Sequence, residues 1–145
     1  MDVHATLEAP CNADDLFAFV DDLGCYPRWI DLVHAAVEQD GDEPAWAVEL
    51  RARLGPLARS KRLRMVRTVH DRANRVAVFE RVEVDGKQHA PWVLRASIDE
   101  VDGTSTLHMH LHYGGGLWTG GVLERVLADQ IRNGRERLTA LVASR

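Results

Sequence analysis

Residues 102–113 constrain the fold more than any other stretch of this chain. Asp102-Gly103 suits a two-residue type I′ hairpin turn, in which both residues take positive φ. A turn there sets Ile98 opposite Leu107, Ala96 opposite Met109, Leu94 opposite Leu111 and Trp92 opposite Tyr113. Each pair joins apolar to apolar, and a slip of one residue would break all four. The alternate row holds His108, His110 and His112. Strand side chains alternate faces, so one face of this hairpin lines a core or cavity while the histidines meet solvent or a metal.

At 145 residues the chain is expected to form one domain, 1–145, large enough to bury a sizeable core. Its net charge of −4 gives no reason to expect nucleic acid or an anionic membrane as partner. The one basic run, Arg59-Ser60-Lys61-Arg62-Leu63-Arg64, reads as the exposed face of a strand with alternating charges. Met1-Asp2-Val3-His4 has neither the basic nor the apolar region of a secretory signal, and no apolar run approaches the ~18 residues of a membrane span. Cys11 and Cys25 form neither a disulfide framework nor a CxxC pair. The expectation is a cytoplasmic protein with free thiols and no stable membrane insertion; composition names no protein partner.

Residues 2–9 alternate as a half-exposed strand. Asn12 offers an N-cap, and Leu16, Phe17 and Val20 supply the apolar face of a short helix ending at Gly24. Residues 26–32 read as a second short helix with Pro27 in its first turn. Strands are expected at 33–39, 46–54, 60–70, 75–84, 90–101 and 104–113. A three-residue loop at Asp85-Gly86-Lys87 would pair Val82 with Ala90, Glu80 with Trp92 and Val78 with Leu94. A turn near Asp71–Asn74 would pair Val69 with Val76, Arg67 with Val78 and Met65 with Glu80. Leu123, Leu127, Ile131, Gly134, Leu138 and Leu141 form the stripe of a last, long helix. Gly134 on that stripe leaves room for the sheet or a ligand to approach.

This order of elements resembles the helix-grip fold, and Phe17-Ala-Phe19-Val-Asp-Asp-Leu23-Gly-Cys-Tyr26-Pro-Arg-Trp29 resembles the helix-pair motif of the START/Bet v1-like (SRPBCC) superfamily. Within it the chain is most similar to bacterial polyketide cyclase/dehydrase-like and lipid-transport-like proteins. The resemblance covers essentially the whole chain. It implies an α+β fold: a curved seven-stranded antiparallel sheet wrapped around the C-terminal helix, with two short helices between strands 1 and 2. It also implies an elongated apolar cavity, in which members bind lipids, polyketides or other hydrophobic molecules. The motif residues pack the helix pair and perform no chemistry, so the fold alone names no reaction.

By the expected register the concave face carries Trp46, Val48, Leu50, Met65, Val78, Trp92, Leu94, Ala96, Met109, Leu111 and Tyr113, closed by Trp118 and the helix stripe. Aromatic and methionine side chains suit an adaptable pocket, and ligand sites usually start near ~300 Å³. Arg67 and Glu80 fall on the same face as diagonal neighbours. They would touch a ligand, form a structural pair, or lie outside if the register slips by one. The histidine row is too widely spaced for three members of one flat strand to share a zinc ion, and Arg95 opposite His110 repels a cation; the row reads as solvated, with no metal or other cofactor. No HExxH, GxSxG or Ser-His-Asp order occurs, and Gly114-Gly115-Gly116 with Gly120-Gly121 lacks a phosphate loop's Lys-Ser/Thr. That joint, with Gly55-Pro56-Leu57, would gate the cavity mouth. Three functions remain open: binding or transport of a small hydrophobic molecule, a polyketide aromatase/cyclase using Arg67, Glu80 and Tyr113, and a ligand-free regulatory or antitoxin-type interaction protein.

Overall fold

A computed structural model describes residues 1–54, 56–114 and 122–144. Along the chain run β1 (Asp2–Ala9), α1 (Ala13–Phe17), a 3-10 helix (Leu23–Arg28), β2 (Val33–Gln39), β3 (Ala45–Leu54), β4 (Leu57–Asp71), β5 (Val76–Arg81), β6 (Trp92–Val101), β7 (Thr104–Tyr113) and α2 (Val122–Ala143). The strands form one antiparallel sheet in the order β1-β7-β6-β5-β4-β3-β2. It curves around α2 in the helix-grip arrangement. The core lies between the sheet's inner face, the helix pair and α2, with Tyr26, Trp29, Phe79, Leu107 and Leu138 almost wholly buried.

The hairpin at 102–103 pairs all four apolar couples as expected, with Asp102 at φ 51° and Gly103 at φ 81°. Asn12 caps α1, its Oδ1 accepting from the Asp15 backbone N–H at 2.8 Å. The helix pair is tighter than periodicity suggests. α1 ends at Phe17, and Asp22 then caps the 3-10 helix by accepting from the Gly24 N–H at 2.8 Å. Gly24 therefore opens the second element and does not close the first.

Two registers differ from expectation. The β4–β5 turn is longer than expected, with residues 72–75 between the paired Asp71 and Val76 and with Val69 opposite Val78. A bulge between Arg67 and Val69 then shifts the ladder by one, placing Arg67 opposite Phe79 and Val66 opposite Glu80. A one-residue shift reverses every side chain relative to its neighbour strand. The second difference follows on β6, where Val78 faces Arg95, Phe79 faces Leu94 and Glu80 faces Val93. No three-residue hairpin joins these strands. Residues 82–91 form a longer excursion, fixed by the Asp85 carboxylate on the Lys87 N–H (3.0 Å) and His89 Nε2 (2.8 Å). Burial of Ala77 and Phe79 sets the register.

α2 is fastened to the first third of the chain. The Gln130 side chain accepts from the Leu32 N–H, Arg137 pairs with Asp31 at 2.8 Å, and Arg135 donates to the Glu8 carbonyl at 2.7 Å. Gly134 makes the closest approach: a Cβ there would lie 2.3 Å from the Trp29 carbonyl oxygen. The space left by its missing side chain is filled by the end of the 3-10 helix, and neither the sheet nor a ligand occupies it.

Candidate functional site

Between the sheet and α2 lies a cavity of about 70 Å³. Val48 and Leu50 of β3, Leu63 and Met65 of β4, Trp92 and Leu94 of β6, and Met109 and Leu111 of β7 form its sheet wall. Leu127 of α2 closes one side, and Leu23, Tyr26, Ile30, Leu32 and Val33 close the other. Every lining residue is aliphatic, aromatic or methionine. Wider clefts of about 410 to 510 Å³ lie on the surface, but they are open and edged by charged side chains such as Arg135, Glu49 and Arg72.

The cavity sits where alternation places it, yet it falls well short of the ~300 Å³ usual for ligand sites. The helix pair accounts for the difference, because Tyr26 and Ile30 reach into the space the sheet encloses. The Tyr26 hydroxyl donates to the Val20 carbonyl at 2.9 Å, and burial pushes its pKa far above that of a free phenol. Tyr26 is thus a neutral, anchored wall. Met65 and Met109 are its adaptable members, since an unbranched thioether repacks at low cost.

Of the residues expected to touch a ligand, Val48, Leu50, Met65, Trp92, Leu94, Met109 and Leu111 line this cavity. Trp46 is buried behind it, edge-on to Phe79 at 5.6 Å. Tyr113 is also buried, against Trp92 at 5.3 Å, and its hydroxyl meets Met1 Sδ at 3.5 Å. Burial, followed by the Glu124 carboxylate, raises the Tyr113 pKa, so it holds its proton. Trp118 and the glycines Gly55, Gly115, Gly116, Gly120 and Gly121 lie outside the described residues.

The expected Arg67–Glu80 pair does not form. The bulge leaves Arg67 on the inner face, 5.6 Å from the Trp46 ring, with Nη1 donating to the Asp21 carbonyl at 2.8 Å. Glu80 and Val78 alternate with Phe79 and stand on the outer face. Asp21 also holds His70 Nε2 at 2.8 Å, so Arg67 and His70 together tie β4 to the helix pair. Among the described residues the Nε–H of Arg67 and the indole N–H groups of Trp29, Trp46 and Trp92 are buried without an acceptor.

The residues missed from the sequence were Leu23, Tyr26, Ile30 and Leu32 on the helix-pair side, with Val33, and Leu63 on β4. Leu63 was legible, since it lies two residues before Met65 on the same face. The basic run also divides. Arg62 and Arg64 point outward, whereas Lys61 opposes the lining residue Leu50 and precedes Leu63 on the inner face.

The histidine row lies on the outer face, half-exposed, opposite Ser97, Arg95 and Val93 on β6 as expected. On its other side the Asp2 carboxylate meets His110 Nε2 at 2.8 Å and His112 Nδ1 at 3.1 Å, and His4 stacks on His110 at 4.3 Å. Hydrogen bonds from His110 and then His112 hold the Asp2 carboxyl below its ordinary range.

A family model described as polyketide cyclase/dehydrase and lipid transport matches residues 1–143. The chain belongs to that family. No curated protein matches it significantly. Solved structures similar to it include TTHA0849 from Thermus thermophilus, at 13% identity and TM-score 0.74, covering 97% of this chain and 99% of that one. The Zhui aromatase/cyclase from a Streptomyces species is similar at 14% identity and TM-score 0.68, covering 100% and 94%. A START superfamily protein from Mycobacterium smegmatis is similar at 12% and 0.66, covering 99% and 97%. At such identities the likeness establishes the fold. Among the described residues no helix is long and apolar enough to cross a membrane.

Proposed function

We propose that residues 1–145 act as one domain that holds a small hydrophobic molecule, lipid or polyketide-like, between the sheet and α2. The observation that carries this is the wholly apolar cavity bounded by Leu127, Met65, Trp92 and Met109 in a member of a cyclase and lipid-transport family. At about 70 Å³ it takes only a few heavy atoms as it stands. A longer occupant displaces Met65, Met109 or Leu127. Burial gains roughly 25 cal/mol per Å² of apolar area, so a lipid-sized ligand reaches micromolar affinity only if that displacement is cheap. Native mass spectrometry of the purified protein tests the reading: a co-purifying apolar molecule supports it, and a bare chain that takes up no added lipid opposes it.

Two other readings each have one observation in their favour. An aromatase/cyclase would use Arg67, whose buried Nε–H lacks an acceptor among the described residues, to polarise a carbonyl. Glu80 on the outer face and a Tyr113 hydroxyl turned to Met1 leave that reaction without its other two candidates. A ligand-free interaction protein is favoured by the small cavity. Absence of binding by every apolar probe would make it the leading account.

A further inference from the structure

Lys61 is a cation beside the wall of this apolar cavity that, among the described residues, has no carboxylate of its own. Its side chain leaves β4 on the inner face, opposite Leu50 and two residues before Leu63, both of which line the cavity. Its ammonium lies over the Trp92 ring, 5.9 Å from the centroid, and Trp92 is a third lining residue. No ion pair joins Lys61 to a carboxylate among the described residues. The charged groups that act on it are Arg81 and Glu83. Glu83 is already committed, with one oxygen accepting from Arg81 Nε at 3.0 Å and from the Arg64 N–H at 2.9 Å. Arg81 is fully engaged as well, by Glu83, the Ala90 carbonyl at 3.4 Å and His89 at 3.2 Å. Two cations thus face one carboxylate that is paired with Arg81, and among the described residues the buried Trp92 indole N–H also has no acceptor.

We propose that Lys61 marks the headgroup end of the cavity, and that the ligand is a single-chain amphiphile whose anionic head, carboxylate or phosphate, sits at Lys61 with its tail between Met65, Leu94 and Met109. This rests on the hydrophobic-ligand reading above and names the chemical class that reading leaves open. An apolar cavity alone is indifferent to a headgroup. A half-buried ammonium without a counterion makes an anionic one better than a neutral one, because burial costs the charge its hydration and a charge-assisted hydrogen bond restores it. Burial, and then repulsion from Arg81, lowers the Lys61 pKa, as expected for a cation short of a counter-charge. Arg67 is placed differently: it does not line the cavity, its Nη1 is held by the Asp21 carbonyl and its guanidinium lies against Trp46, with Nε–H its one atom buried without an acceptor among the described residues.

Octanoate, octyl phosphate and octanol distinguish the possibilities when titrated by tryptophan fluorescence and calorimetry against wild type, Lys61→Met and the outward-facing control Arg62→Met. Methionine keeps an apolar stem over Trp92 and removes only the charge. Wild type and R62M are expected to bind octanoate, octyl phosphate or both at least about fivefold more tightly than octanol. K61M is expected to lose that preference with octanol affinity unchanged. The two anions, compared with each other, identify the head as carboxylate or phosphate. Octanol binding as tightly as both anions, or a preference that survives in K61M, would overturn the headgroup assignment while leaving hydrophobic binding intact. No binding by any of the three, with a neutral naphthalene probe still bound, would overturn it too. If that probe also fails to bind, the hydrophobic-ligand reading falls with it.

Discussion

Replacing Gly134 by alanine sets two opposed effects against each other. In a free helix the exchange is favourable, by about 0.8–1 kcal/mol, because glycine loses more backbone entropy on becoming helical. Here the new Cβ would lie 2.3 Å from the Trp29 carbonyl oxygen, with the Trp29 ring at 3.4 Å. Backbone cannot swing aside as the end of a flexible side chain can. α2 must therefore lift from the 3-10 helix, loosening Ile131, Leu138 and the Gln130 contact to Leu32. Overpacking of this kind costs roughly 1–3 kcal/mol, sometimes more. Because the clash is with backbone, the upper figure applies, and subtracting the helical gain from about 3 kcal/mol leaves a net loss of about 2 kcal/mol. Urea unfolding followed by circular dichroism would measure it, with Asn133→Ala as the exposed neighbour expected to stay within about 0.5 kcal/mol. A G134A protein as stable as wild type would mean that α2 does not rest on Trp29, and the closure of the cavity would have to be redrawn.

Other perturbations test the register and the charges. Arg67→Ala is expected to cost about 2–3 kcal/mol, because it removes a charged donor from the Asp21 carbonyl and a cation from the Trp46 face. Glu80→Ala should cost less than about 1 kcal/mol, and equal losses at both sites would restore the inward pair that the bulge abolishes. Glu83 is pushed up by burial but held below its ordinary pKa by the Arg64 N–H and by Arg81. A carboxyl depressed in the folded state stabilises above its unfolded pKa, near 4.5, and loses that contribution as pH falls through the lower folded value. Glu83→Gln should therefore lower stability at pH 7 and flatten its fall below about pH 4.5 in acid titrations followed by fluorescence; an unchanged acid limb would contradict this.

Much of the fold was legible because it rests on local chemistry. The turn at Asp102-Gly103 needs two positive φ values, which this dipeptide adopts readily, and one correct turn registers every pair of β6 and β7. Asn12 was legible as a cap for the same reason. What alternation missed was a single bulge after Arg67, since nothing in Arg67-Thr68-Val69 marks an extra residue. That bulge moved Glu80 and Val78 out of the candidate site and put Phe79 on the inner face, in the core beside Tyr26 and Trp46. The β5–β6 connection misled because Asp85-Gly86 resembles a hairpin turn but serves as a local cap within a longer loop. Cavity size was illegible for a different reason. It depends on how far Tyr26 and Ile30 reach from the helix pair, which is a tertiary property with no period. Lys61 was hidden inside a basic run, although its spacing from Leu63 and Met65 placed it on the inner face.

Binding of a naphthalene probe to wild-type protein and to Met109→Trp, followed by the probe's own emission at equal protein concentrations, tests the hydrophobic-ligand account most directly. Met109 lines the cavity between Ala5 and Ala96 on its neighbouring strands, so a larger indole there occupies the free space without crossing a polar group. The account predicts saturable one-to-one binding to wild type and its loss in M109W, with a cooperative thermal transition kept in both. Probe binding that persists unchanged in a folded M109W, or no binding to wild type at all, would contradict it.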